Sequence, residues 1–289
     1  MKIEQYPEQE PLSSLGQAYA KEVMDRGHGV TGLEVDLGDD PYRSLTVFIS
    51  PKPSGHVLVF FHGGGWTSGY KEWMYFMAPA LTAQGITFVS SGYRLAPQYQ
   101  FPIGFEDCAD SLAWVSRNIQ AYGGDANRVF VGGHSAGAHY AALLSVTRAW
   151  RSKRDMGQRA ISGCLPVSGT YRFGEGSGLS MRPRFLGPID RVGVEVAAAP
   201  LERIDASVCP PFLVTWGEND FPHLVRQSEE MAQALRGRSV PVATLVLPGC
   251  DHFQASLACG EVDGAWVPAA VSWIRQQGGS HPNNSGEKR

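Results

Sequence analysis

The chain has no cysteine pairing pattern, no long apolar run and no marked charge of either sign. Its five cysteines (Cys108, Cys164, Cys209, Cys250 and Cys259) are scattered, odd in number and without C-x-x-C spacing. This argues against a disulfide framework or a zinc site and for reduced thiols in a cytoplasmic protein. No stretch approaches the roughly 18–20 consecutive apolar residues that span a bilayer. The first ten residues are acidic and have no apolar centre, so a secretory leader is not expected. A net charge of −3 offers no basic footprint for nucleic acid or an anionic membrane. What remains is ordinary for a globular domain: 289 residues, 43% hydrophobic and 18% charged. A chain of this size can bury one large core without metals or disulfides.

Short apolar runs recur at 57–61, 86–90, 128–132, 163–167, 212–216 and 242–247. Runs of this kind suit strands buried on both faces of a parallel sheet. Two earlier runs, 33–37 and 45–49, predict an antiparallel hairpin at the sheet edge, with turn chemistry from Asp39-Asp40-Pro41. Helical spacing appears at 106–118, 227–235 and 267–277, and an amphipathic helix is expected at 12–26 ahead of the first strand. Alternating strands and helices predict an α/β fold, a mostly parallel central sheet flanked by helices. Ligand sites in such sheets lie at the carboxyl ends of the strands. Residues 1–277 are therefore read as a single domain. The aperiodic, Gly-, Arg- and Pro-rich stretch at about 170–205 is read as a cap or lid insertion. The polar tail 278–289 is expected to be disordered.

Chemistry-bearing motifs fall at strand ends. Gly133-His134-Ser135-Ala136-Gly137 follows the strand at 128–132 and precedes a run of small apolar residues. Such a turn presents Ser135 as a nucleophile, because the flanking glycines remove side chains that would clash. The run His62-Gly63-Gly64-Gly65-Trp66 leaves a second strand in a glycine loop with unshielded N–H groups. Gly64, Gly65 and Ala136 are the candidate oxyanion donors, and His62 braces the loop. Each such donor is worth about 3–4 kcal/mol of barrier. A phosphate loop would need a lysine after the glycines, and there is none.

In the chain order Ser, acid, His, the base should come last. His252, past the final strand in a loop, fits better than His223 or His281. Asp220 in Gly217-Glu218-Asn219-Asp220 is the leading acid, with Glu218 and Asp251 as alternatives. Trp66, Tyr93, Phe221 and Phe253 are the candidate substrate-lining residues. Arg172, Arg182 and Arg184 in the insertion are either carboxylate attractors or plain surface charge. No metal or organic cofactor is expected.

Taken together, residues 57–273 resemble the esterase, lipase and arylformamidase branch of the α/β-hydrolases. Gly92-Tyr93-Arg94-Leu95-Ala96-Pro97, with Phe101-Pro102 and Glu106-Asp107, is similar to a block found in hormone-sensitive-lipase-like esterases. Those enzymes usually carry G-D-S-A-G and D-P-L, whereas this chain has His134 in the second position and no D-P-L. Gly133 to His139, Leu81-Thr82-Ala83-Gln84-Gly85, the early helix and Asp220 followed by Arg226-Gln227-Ser228 are similar to kynurenine formamidases, which hydrolyse an aryl N-formyl amide. The loop of those enzymes often reads HGGxW, and Trp66 fits. The resemblance implies an α/β-hydrolase fold with a Ser135, Asp220, His252 triad acting on a small ester or amide. A catalytically inactive receptor on the same fold is the alternative. A homodimer is compatible with the sequence, although no segment marks an interface.

Overall fold

The structure is a computed structural model that describes residues 3–157 and 160–278. The tail expected at 278–289 lies, beyond its first residue, outside the described residues. Eight strands form one sheet: β1 (Leu33–Asp36), β2 (Ser44–Phe48), β3 (Gly55–Phe61), β4 (Thr87–Ser91), β5 (Gly124–His134), β6 (Gly163–Val167), β7 (Phe212–Gly217) and β8 (Val242–Leu247). Their spatial order is β1-β2-β4-β3-β5-β6-β7-β8. β1 and β2 pair antiparallel, as do β2 and β4, and every later pairing is parallel. The edge hairpin expected from the sequence is therefore present. Its turn is closed by Arg43 N–H on the Asp40 carbonyl (2.9 Å) and Tyr42 N–H on the Asp40 carboxylate (3.0 Å).

Helices α1 (Ser14–Arg26), α2 (Ala78–Ala83), α3 (Ile103–Asn118), α4 (Ala136–Val146), α5 (Ala149–Ser152), α6 (Val194–Ala198), α7 (Pro222–Gly237), α8 (His252–Leu257) and α9 (Trp266–Gly278) connect or cover these strands. Among the described residues, no helix is long and apolar enough to cross a membrane.

Strand alternation sorts the core into two layers. Val57, Val59 and Phe61 of β3 face a cluster with Leu112 and Val115 of α3, Tyr140 and Leu143 of α4, and Met231 and Leu235 of α7. Leu58 and Phe60 point the other way, onto Tyr19 and Val23 of α1 and Val267, Val271 and Ile274 of α9. Burial on both faces explains why the central strands read as unbroken apolar runs. β8 departs from that expectation. It is the edge strand opposite β1, and only Leu247 is fully buried, while Ala243, Thr244 and Val246 are exposed. Its apolar composition reflects β propensity more than two-sided burial.

Arg94 and Asp107, from the Tyr93-to-Asp107 block, are structural. Asp107 is buried and accepts from Arg94 Nε (2.9 Å), Nη2 (2.8 Å) and the Arg94 backbone N–H (3.0 Å). Arg43 Nε adds a contact at 3.2 Å. This carboxylate fixes the chain leaving β4 against α3. Asp107→Ala would remove the carboxylate partner of Arg94 and one of the two held by Arg43, which keeps Asp110 at 3.0 Å, and should lower the unfolding free energy by about 3 kcal/mol. An unchanged denaturant midpoint would contradict this.

Candidate active site

Ser135 is the single residue between β5 and α4, with φ 54° and ψ −114°. Two glycines permit that turn. A Cβ on Gly137 would lie 2.1 Å from the Phe61 carbonyl oxygen, and one on Gly133 would lie 2.3 Å from the Gly137 carbonyl carbon. The backbone of α4 therefore rests directly on the end of β3, and the Ser135 N–H is held by the Val167 carbonyl at 2.9 Å.

The base does not sit in a loop as the sequence suggested. His252 is the first residue of α8, capped by Asp251, whose carboxylate accepts from Phe253 N (2.9 Å) and Gln254 N (2.8 Å). Gln254 Oε1 accepts from Asp251 N at 2.9 Å and completes a capping box. The cap signal, Asp followed three residues later by Gln, was present in the sequence.

The three candidate acids separate cleanly. Asp251 is the helix cap. Glu218 accepts the Gly249 N–H at 2.8 Å and braces the loop before α8. Asp220 is buried, and its Oδ1 accepts from His252 Nδ1–H at 2.9 Å and from Phe221 N–H at 2.7 Å. Ser135 Oγ lies 3.1 Å from His252 Nε2. These partners put the imidazole proton on Nδ1 and leave Nε2 free to accept from the serine. Burial alone would raise the Asp220 pKa, but the hydrogen bond and charge of His252 outweigh it, and the net shift is downward.

The glycine loop after β3 curls back on itself, with the Gly64 carbonyl accepting from Thr67 N (3.2 Å) and Ser68 N (3.0 Å). Gly64 and Gly65 have φ of 111° and 61°. A Cβ on Gly65 would meet nothing within 4 Å, so this part of the loop faces open space. Ala136 opens α4, where N–H groups have no helical partner. His62 braces the loop: its Nδ1–H donates to the Gly63 carbonyl (2.6 Å), and its ring stacks on Tyr93 at 4.2 Å.

Two of the four substrate-lining candidates have other surroundings. Tyr93 is 0% exposed and donates its hydroxyl to the His62 carbonyl at 2.8 Å, so it supports the loop from beneath. Trp66 is 3% exposed, stacked on Phe185 at 4.5 Å and flanked by Phe173 at 5.6 Å. Its indole N–H donates to His139 Nδ1 (3.1 Å), while His139 Nε2–H donates to the Ala198 carbonyl (2.7 Å). His139, which ties the loop, α4 and the 170–205 segment together, entered the sequence reading only as the last residue of the formamidase-like run, with no role of its own. It lies four residues after Ser135 as a lone imidazole on an apolar helix. Phe221 is 43% exposed with its ring 4.9 Å from that of His252, and Phe253 packs between Tyr19 (5.1 Å) and His252 (5.4 Å).

The three arginines singled out in the 170–205 segment each face a carboxylate. Arg182 binds Glu195 (2.9 Å) and the carbonyls of Gly187, Pro188 and Arg191. Arg172 faces Glu202 and Glu230, and Arg184 meets Glu10 at 3.2 Å. These partners fit the reading of plain surface charge better than that of carboxylate attractors. Buried Gln227 pins the segment to α7, accepting from Tyr171 N (2.6 Å) and Arg172 N (2.8 Å) and donating to the Ser177 carbonyl (2.8 Å). From the N-terminal side, Gln9 accepts the Gly69 N–H (2.8 Å) and donates to the Gly69 carbonyl (3.0 Å) and Tyr42 hydroxyl (2.7 Å).

A mostly parallel sheet with a serine on a tight strand-to-helix turn, and a histidine and aspartate after later strands, defines the architecture of the α/β-hydrolases. The sequence profile described as the alpha/beta hydrolase fold matches residues 58–255, and the chain belongs to that family. Esterase LipC of Mycobacterium tuberculosis is 31% identical over 234 residues, covering 74% of this chain and 58% of LipC. This chain thus spans little more than half the length of that relative. Kynurenine formamidase of Salmo salar is 29% identical, covering 81% of this chain and 79% of the formamidase. Among solved structures, a Pyrobaculum calidifontis esterase superposes with a TM-score of 0.73 at 23% identity, covering 92% of this chain and 93% of the other. Both strands of the sequence resemblance, esterase and formamidase, thus reappear among the relatives.

Three histidines near the site are fully buried, and burial pushes their pKa values down: His62 and His139 to about 4, His134 to about 3. As pH falls below about 6.5, the unfolded chain binds protons that these rings refuse until the pH nears 4. Stability should therefore be highest above pH 6.5 and decline from there towards pH 4. Denaturant midpoints across that window test the claim, and a flat profile down to pH 4.5 would refute it.

Proposed function

We propose that this chain is a serine hydrolase that cleaves a small ester or amide through an acyl-enzyme on Ser135. The observation that carries the reading is the unbroken line of hydrogen bonds from Ser135 Oγ through the His252 ring to Asp220. His252 Nε2 takes the serine proton as Oγ attacks the carbonyl carbon. Asp220 keeps the ring oriented and offsets the imidazolium charge without taking the proton. The tetrahedral oxyanion falls to the N–H groups of Gly64, Gly65 and Ala136. Protonated His252 then delivers its proton to the leaving oxygen or nitrogen, the C–O or C–N bond breaks, and the alcohol or amine departs. Water, deprotonated by the same ring, attacks the acyl-enzyme and restores Ser135.

The buried stack of Trp66, Phe173 and Phe185 closes the side of the site next to the glycine loop, which favours a short acyl group. Phe221 stands exposed beside the ring that protonates the leaving group, which suits an aryl alcohol or amine. An aryl N-formyl amide and a short-chain aryl ester both satisfy these two constraints. The names of the relatives, esterase and kynurenine formamidase, point to the same pair.

The test is hydrolysis of p-nitrophenyl esters of graded chain length and of N-formylkynurenine, alongside Ser135→Ala. Wild type should act on at least one of these, with kcat/KM falling as the acyl chain lengthens, and Ser135→Ala should be inert. Wild-type inactivity throughout, with no labelling of Ser135 by a fluorophosphonate, would defeat the reading. Asp220→Asn should keep the fold and lose on the order of 10⁴-fold in kcat. A loss below tenfold would mean another group orients the base.

A further inference from the structure

The second residue of the serine pentapeptide, His134, has no part in the chemistry above, yet it is buried at the centre of the site. Its Nε2 lies 2.9 Å from the backbone carbonyl oxygen of His252, a residue 118 positions away. A carbonyl can only accept, so Nε2 carries the proton and the ring is a neutral donor. One side of the ring neighbours His252 at 4.7 Å, and Tyr19 of α1 lies at 5.9 Å. Nδ1 faces the glycine loop, where a Cβ on Gly63 would lie 2.9 Å away. The side chain thus touches the start of the oxyanion loop and the backbone of the base, and its own backbone leads directly into Ser135.

The sheet provides no direct link between these segments. β6 and β7 stand between β5, which ends at His134, and β8, which leads to His252. Asp220 fixes one end of the His252 ring but not the Cα from which the ring swings.

We propose that His134 is a positioning residue whose N–H tether to the His252 carbonyl holds the base in register with Ser135. The proposal rests on the serine chemistry argued above. The ring must keep Nε2 near Oγ while it gains a proton and then passes it to the leaving atom. A pivot displaced by about 1 Å can cost on the order of 100-fold in rate.

The experiment compares wild type, His134→Ala and His134→Gln on p-nitrophenyl acetate, with melting curves for each. It also follows the low-field proton NMR signal of the His252 Nδ1–H bound to Asp220. Glutamine retains an N–H donor at similar reach. His134→Ala should lose about 10–100-fold in kcat with KM changed less than about threefold, and its low-field signal should broaden or vanish. His134→Gln should recover most of both.

A folded His134→Ala with wild-type kcat and signal would overturn the proposal, as would equal impairment of both variants, which would assign the effect to ring packing. If His134→Ala does not fold, His134→Gln decides alone. A tenfold or greater loss of kcat with a wild-type melting curve then counts against the tether. If wild type itself hydrolyses nothing and Ser135 is not labelled, the hydrolase reading has failed, and the NMR comparison still judges the tether separately.

Discussion

Everything in this site is referred to one crowded contact, the place where the first turn of α4 presses on the end of β3. With Gly137 against the Phe61 and His62 carbonyls, neither backbone can shift without the other. Ser135 is held at positive φ, a conformation costing on the order of 1–3 kcal/mol for a residue with a side chain. The surrounding structure overcomes that cost through β5 and β6, buried on both faces, and through the Ser135 N–H bond to Val167. Ser135 is half-buried at the strand end because its backbone has no other place to go.

Around that contact, polar groups have been given separate tasks. Three carboxylates lie within a short reach of His252 in sequence or space, yet one caps a helix, one braces a loop and one binds the imidazole. Arg172, Arg182 and Arg184 of the 170–205 segment are likewise occupied by carboxylates and carbonyls. With these charges already partnered, the proposed substrate preference rests on the exposed ring of Phe221 and the closed aromatic stack around Trp66. Burial of His62, His134 and His139 follows the same pattern. Each is neutral and acts as a fixed donor or acceptor, leaving His252 as the ring that exchanges protons in the proposed mechanism.

Much of this was legible in the sequence because it depends on neighbours in the chain. The strands of the sheet core showed as apolar runs, and Ser135, the glycine loop, Asp220 and His252 could be chosen because each follows a strand. What was not legible depends on long-range geometry. Tyr93 and Trp66 look like pocket residues by composition, and only the packing of loop and insertion shows them buried. The edge position of β8 cannot be read from Val242 to Leu247, since an apolar strand looks the same with or without a neighbour. His139 and Gln9 act across 59 and 60 residues respectively, and no local pattern marks such contacts. The helical start at His252 was readable in Asp251 and Gln254, the two members of its capping box.

The Gln9 contact carries a consequence for how the site comes into being. The loop from His62 to Gly69 has little regular structure of its own, and both backbone groups of Gly69 are held by one side chain from far upstream. A side-chain amide that pairs with both backbone groups of one residue acts as an added strand residue without a strand. The cost of ordering the glycine-rich loop, high because glycine has the most freedom to lose, is thus met partly by a segment that must find it across 60 residues. The sheet closes through its own hydrogen bonds, whereas the glycine loop depends for part of its shape on a side chain from the upstream segment.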